Sequence, residues 1–183
     1  MDFIQVHFDN YDYTFTPSDK RFSSGDFIIP AFAPDETENY RHIWFCVDTS
    51  GSITYEMLST VLFEIRCAVE QLDGLEGLLS FFDTTVTPPV EFEDEETLLA
   101  QKPVGGGGTR FAAIFDYMKK HMLEEGDELP VAVIILTDGE CIFPKEEAAL
   151  DVPVMWVICD SEAEPPWGKW VKIESAGLRE RKD

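Results

Sequence analysis

The chain has 183 residues, with 44% hydrophobic and 13% aromatic side chains, which is enough to bury a core and too apolar for a disordered chain. Its 36 Asp plus Glu against 14 Lys plus Arg give a formal charge of −22, a poor starting point for binding nucleic acid or an anionic membrane. No apolar run approaches the ~18–20 residues of a membrane span, and Met1-Asp2-Phe3-Ile4-Gln5 lacks the basic start of a signal peptide, so a cytoplasmic protein without membrane or nucleic-acid partners is expected.

Residues 1–40 mix Tyr, Phe, Pro, Ser and Asp without long periodicity. Short alternations (Ile4, Val6, Phe8; Tyr11, Tyr13, Phe15) and the patch 27–32 suggest an arm packed on a main domain, with Asp35–Asn39 as a polar linker. Regular patterning begins at residue 41, and 41–183 is read as the domain proper. Ile43–Val47 is apolar on both faces, as in a central parallel strand, and ends in Asp48. After the polar turn Asp48–Ser52, residues Tyr55, Leu58, Leu62, Ile65, Val69 and Leu72 recur at helical spacing, with Gly74 as the stop. Leu78–Phe82 predicts a second strand. Val86–Phe92 predicts a third, demoted to an edge by Pro88-Pro89. A short helical stretch reaches about Ala100.

Four glycines, Gly105–Gly108, and Thr109 then open a helix with Phe111, Ile114, Phe115, Met118 and Met122 on one face. Val131–Thr137 is another buried strand, ending in Asp138-Gly139. A short helix around Lys145–Leu150, a core strand Val152–Cys159 and a last strand at Trp170–Ile173 complete the series. Alternating strands and helices predict a three-layer, doubly wound α/β fold: a mostly parallel sheet, one antiparallel edge strand, and helices on both faces. The cysteines at 46, 67, 141 and 159 show no C-x-x-C or metal spacing and read as buried, reduced thiols.

In open α/β sheets ligands bind beyond the carboxyl ends of the strands. Three segments bring oxygen donors to that edge: Asp48-x-Ser50-x-Ser52, Thr109 behind its glycines, and Asp138. Hydroxyls and carboxylates without His or Cys describe a hard-cation site, for Mg²⁺ or Mn²⁺ and less readily Ca²⁺. Alternate serines in a turn can aim two hydroxyls at one point without adding charge, so the ion stays electrophilic. Asp48 and Asp138 supply the compensating charge, directly or through water. Glycines let the backbone approach closely, and one coordination position is left for an outside oxygen.

Bland readings compete with this one. Asp48 or Asp138 alone is an ordinary cap or turn residue. The glycines suggest phosphate binding, but neither G-K-[ST] nor G-x-G-x-x-G is present. A phosphoryl-accepting aspartate needs Asp-x-Asp, and position 50 is Ser. The histidines at 7, 42 and 121 read as ordinary surface or packing residues, and the acidic runs as solvated faces. Trp156, Trp167 and Trp170 are either core or an exposed anchor.

Asp48-Thr49-Ser50-Gly51-Ser52, Gly108-Thr109 and Thr137-Asp138-Gly139 together resemble the metal-ion-dependent adhesion site of von Willebrand factor A (VWA) domains, over about residues 41–174. The resemblance implies that Ser50, Ser52 and Thr109 contact the ion. It further implies that Asp48 and Asp138 act mostly through waters, and that a partner protein's Asp or Glu completes the shell, with Gly107, Gly108 and Glu140 on the rim. A finer resemblance is to the VWA-like domain of a bacterial family of predicted metal-dependent peptidases. It is carried by Pro17–Phe22, Ile29-Pro30, Asp138-Gly139-Glu140 and Pro166-Trp167-Gly168. That family implies an upstream domain and association with MoxR-type AAA+ ATPases. This chain has no H-E-x-x-H, so the peptidase activity does not carry over, though the chain is open to being part of a longer protein. The expectation is a cation-dependent protein-binding module and not an enzyme. The rival is a hydrolase, peptidase or phosphoesterase, using the same Mg²⁺.

Overall fold

The computed structural model describes residues 43–71, 77–92, 97, 103–125 and 129–175. The proposed arm 1–40, the Gly74 stop, the stretch to Ala100, His7, His42 and the Cys67 side chain lie outside them.

Six strands form one sheet among the described residues: β1 (Ile43–Asp48), β2 (Gly77–Phe82), β3 (Val90–Phe92), β4 (Ala132–Thr137), β5 (Val154–Cys159) and β6 (Lys169–Ile173), in the order β3-β2-β1-β4-β5-β6. All neighbours are parallel except β2 and β3. The expected third strand is shortened to three residues, with Val86 making only an isolated bridge to Phe82. Pro88 and Pro89 lie between them, and neither can donate to a ladder.

The central strands are apolar on both faces because both are covered. In β1, Trp44 and Cys46 join Val133, Ile135, Trp156 and Ile158 in one buried cluster with Phe111, Ile114, Phe115 and Met118. Phe45 and Val47 face the other way, and Phe45 packs its ring on Phe92. Helix α1 (Tyr55–Gln71) buries Met57, Val61 and Ile65, which stand outside the first cluster. Helix α2 (Ala112–Tyr117) buries Ala113, Ile114 and Phe115. The single helix expected over 111–122 changes at Met118 to a π-helical stretch, Met118–Leu123, that still buries Met118 and Met122. Glu146–Ala149 forms one 3₁₀ turn.

An aromatic nest packs the face under α2. Phe111, fully buried, meets Phe82, Phe143 and Trp156, and Trp156 also meets Phe143 and Trp167 edge-on. The tryptophans thus divide: Trp156 is core, Trp167 is half-buried with its indole N–H donating to the Pro144 carbonyl, and Trp170 is exposed on the edge strand β6. Cys46 and Cys159 are buried thiols.

The order β3-β2-β1-β4-β5-β6 has one reversal of direction. From β1 the chain moves outward to β2, and from β4 it moves outward the opposite way. Crossovers of one hand running in opposite directions put their helices on opposite faces. A crevice therefore opens between the carboxyl ends of β1 and β4. Asp48 is the last residue of β1, and Asp138 follows the last residue of β4.

Candidate metal centre

The turn after β1 is built by Asp48 itself. Its carboxylate Oδ1 accepts the Ser50 N–H at 2.9 Å, which folds the backbone back over the strand end. The Ser50 carbonyl then accepts the Ile53 N–H at 3.0 Å. Thr54 caps α1, its hydroxyl accepting the Met57 N–H at 3.2 Å. Within this turn the Ser50 and Ser52 hydroxyl oxygens come within 3.3 Å of each other. Ser50 is buried and Ser52 exposed, so the pair runs from the sheet end toward solvent.

Asp48 is 1% exposed. Its second oxygen, Oδ2, accepts the Thr137 hydroxyl at 2.6 Å from the neighbouring strand β4. The same Thr137 oxygen accepts the Gly139 N–H at 3.1 Å. Burial pushes the Asp48 carboxyl up from its ordinary range, the bonds from Thr137 and Ser50 oppose that, and the nearby Asp138 charge adds to it. Two neighbouring buried carboxylates, with no salt bridge to either among the described residues, are the electrostatic situation that a divalent cation relieves.

Asp138, 4% exposed, anchors its own turn by accepting the Glu140 N–H at 3.0 Å. Gly139 holds φ +75°, and a Cβ there would press on Ala163. The residue must therefore be glycine for the chain to leave β4 at this angle.

The third segment is tied to the other two by hydrogen bonds to its backbone carbonyls. The Gly107 carbonyl accepts the Gly51 N–H at 2.9 Å. The Val104 carbonyl accepts the Thr49 hydroxyl at 2.8 Å. At Gly105 a Cβ would overlap the Thr49 side chain, so the close approach expected of the glycines occurs here. Thr109, half-buried, has its carbonyl bonded by the Cys141 thiol at 3.0 Å. Gly107, Gly108 and Glu140 are exposed at the same edge.

One residue of this edge escaped the sequence reading. Asp83 follows β2, and its Oδ1 accepts the Thr85 N–H at 2.9 Å. That bond, with others from Thr84, the Thr85 hydroxyl and Gly107, holds its carboxyl below the ordinary range. Its carbonyl accepts the Arg110 N–H at 2.9 Å. Asp83 thus fastens the glycine loop from the β2 side. The signal was present in Phe82-Asp83-Thr84-Thr85, a carboxylate at a strand end followed by turn residues.

No cluster of three or more His, Cys, Asp or Glu that could hold a metal occurs among the described residues. The candidate donors are two carboxylates and three hydroxyls, a set that fits a hard cation and not a soft one.

The model of the VWA-like domain family (DUF2201) matches residues 43–174. The chain belongs to this family. Solved structures show the same VWA-like fold. BatB from Bacteroides thetaiotaomicron superposes with a TM-score of 0.55 at 14% identity, over 77% of this chain and 94% of that one. Proximal thread matrix protein 1 from the mussel byssus gives 0.55 at 18% identity, over 74% of this chain and 43% of its own. A second structure of the mussel protein, with zinc in its MIDAS motif, gives 0.55 at 16%, over 74% and 44%. No curated protein matches the sequence. Among the described residues of this VWA-like domain, no helix is long and apolar enough to cross a membrane.

Proposed function

We propose that this VWA-like domain is a divalent-cation-dependent protein-binding module whose metal-ion-dependent adhesion site consists of Asp48, Ser50, Ser52, Thr109 and Asp138. The observation that carries the reading is the pair of hydroxyl oxygens of Ser50 and Ser52, 3.3 Å apart, beside the buried Asp48. Ser50, Ser52 and Thr109 would hold the ion, and Asp48 and Asp138 would balance its charge. Both Asp48 oxygens already accept hydrogen bonds, from Ser50 and Thr137, which favours a water-mediated role for this carboxylate. When bound, the ion supplies an electrophilic position for a carboxylate oxygen from outside. Mg²⁺ or Mn²⁺ suits the oxygen-only donors best. The zinc-occupied MIDAS motif of the mussel protein supports divalent binding by a domain of this fold.

The partner is a protein that presents an Asp or Glu. The likeness to the VWA-like domain of bacterial predicted metal-dependent peptidases suggests a MoxR-type AAA+ ATPase as the associated machine, with this domain as its cytoplasmic adaptor. Binding and not catalysis is the favoured role, because the ion would engage Asp48 and Asp138, while Glu140 is exposed with its N–H turned to Asp138. The loop Gly105–Thr109, held by a few hydrogen bonds to Gly51, Asp83 and Cys141, is the element that a ligand would shift.

Calorimetric titration of Mg²⁺ and Mn²⁺ into metal-free protein tests the reading. Heat is expected from the wild type and none from an Asp48→Ala, Ser50→Ala variant that remains folded by circular dichroism. Equal heats from both proteins sink the assignment. Turnover of peptide or phosphoester substrates that is lost with the same variant would replace binding by hydrolysis.

A further inference from the structure

We infer that the partner's carboxylate is carried on a segment with apolar residues close beside it and basic residues further out. This inference rests on the ion-bridged reading above and adds the chemistry of the partner.

Three large apolar side chains at the carboxyl edge are left in solvent: Ile142 at 90%, Tyr55 at 82% and Val104 at 63% exposure. Each comes from a different segment of the candidate centre. Tyr55 starts α1, three residues beyond Ser52, and so lies within ~11 Å of it along the chain. Val104 is fixed by its own carbonyl, which accepts the Thr49 hydroxyl. Ile142 follows Cys141, whose thiol bonds the Thr109 carbonyl. Hydrogen bonds thus tie Val104 and the residue before Ile142 to the loops that carry Asp48 and Thr109, and chain length alone keeps Tyr55 near Ser52. An isolated exposed apolar residue needs no explanation, but several around one polar centre mark a contact surface. The Tyr55 distance sets the spacing: a partner chain seated on the ion would meet it within about three residues of its carboxylate.

Charge selects the rest of the partner. Exposed acids stand next to the apolar residues, Glu56 beside Tyr55 and Glu140 two before Ile142, on a chain of formal charge −22. A bound ion would offset the charge of Asp48 and Asp138 but not that of these exposed acids. A partner with one coordinating carboxylate and outer Lys or Arg is therefore the complementary one.

The test uses the full chain and a pooled library of eleven-residue peptides with a fixed central Asp or Glu and random flanks, with a matched Asn/Gln library. Capture in Mg²⁺ or Mn²⁺ is compared with capture in EDTA. The expected result is metal- and carboxylate-dependent capture, enriched in Ile, Leu, Val, Phe or Tyr within three residues of the centre and in Lys or Arg beyond. A Tyr55→Ser, Ile142→Ser variant should lose about ten-fold in capture while keeping its metal heat. Metal-dependent capture without apolar enrichment, or undiminished in the variant, overturns the rim while leaving the ion site standing. No capture by protein with a working ion site also overturns it. Capture that survives EDTA or the Asn/Gln exchange overturns the ion-bridged reading itself. Metal-dependent dimers in sedimentation, abolished by the variant, assign the face to a second copy of the chain instead.

Discussion

Thr137 is the residue on which the candidate centre turns. Its one oxygen donates to Asp48 and accepts from Gly139, so it couples β1 to the turn that carries Asp138. Thr137→Val leaves a buried carboxylate oxygen and a buried N–H without partners, each costing ~1–3 kcal/mol. Thermal and denaturant unfolding should show a combined loss of about 2–6 kcal/mol. Mn²⁺ affinity should fall by ~10–100-fold, as when an outer partner of a metal ligand is removed. Thr137→Ser, which keeps the hydroxyl, should restore most of both. Asp48 gives a pH dependence of definite sign. Its folded-state carboxyl is raised by burial, so the folded protein holds that proton more tightly than the unfolded chain does. The metal-free protein therefore loses Asp48-linked stability as pH rises through the raised value. The ion takes only the carboxylate form. Mn²⁺ affinity, titrated from pH 7.5 downward, should start to weaken above the pH at which an ordinary carboxylate protonates, and an affinity flat down to pH 4 would contradict this. Burial shifts the cysteines in the same direction. Burial first, with Asp160 and Asp138 nearby, pushes the Cys159 thiol up to about 12, and burial alone raises Cys46. Both should resist alkylation in the native protein, checked by peptide mapping before and after unfolding.

At the scale of elements, the aromatic nest holds α2 and its leading loop over the sheet. Phe111 lies two residues after Thr109 and is fully buried against Phe82, Phe143 and Trp156. Phe111→Ala should cost ~3–5 kcal/mol by transfer and cavity terms together. Because Thr109 loses its anchor, metal heat should also diminish in any fraction that stays folded. Much of this level was legible beforehand. Continuous apolar runs identified the buried parallel strands, and the run of glycines before Phe111 marked the loop. Two features were not. The prolines foretold a weak edge strand, but only pairing to β2 decided that it keeps three residues. The passage from α2 into a π-helical stretch at Met118 left the apolar spacing nearly unchanged, because a widened turn still points Met118 and Met122 at the core.

For the whole molecule, charge and ion binding act on the same balance. A ligand that binds only the folded state stabilises it by ~2.7 kcal/mol at a concentration of one hundred times its Kd. For a domain of this size each kcal/mol is worth ~2–4 °C. Saturating Mg²⁺ should thus raise Tm by about 5–10 °C, reversed by EDTA and absent in the Asp48→Ala, Ser50→Ala variant. A formal charge of −22 also repels itself in the compact state. Monovalent salt should raise Tm in both proteins alike, since the screening length falls to ~8 Å at physiological strength. Subtracting the two curves separates specific ion binding from screening.

The sequence by itself determined the class of fold and the kind of donors at its edge. Periodicity of apolar residues depends on local geometry, and oxygen-only chemistry depends on residue type, so both are written along the chain. What the tertiary structure alone decided is which of these groups meet. Asp48 and Thr137 are 89 positions apart and become hydrogen-bonded only because β1 and β4 are neighbours at the one reversal in the sheet order. Asp83 enters the same edge through its bonds to the glycine loop, and the exposure of Tyr55, Val104 and Ile142 is set by the packed loops that carry them. Exposure and convergence are properties of the packed chain, since they depend on what covers a residue and not on what precedes it.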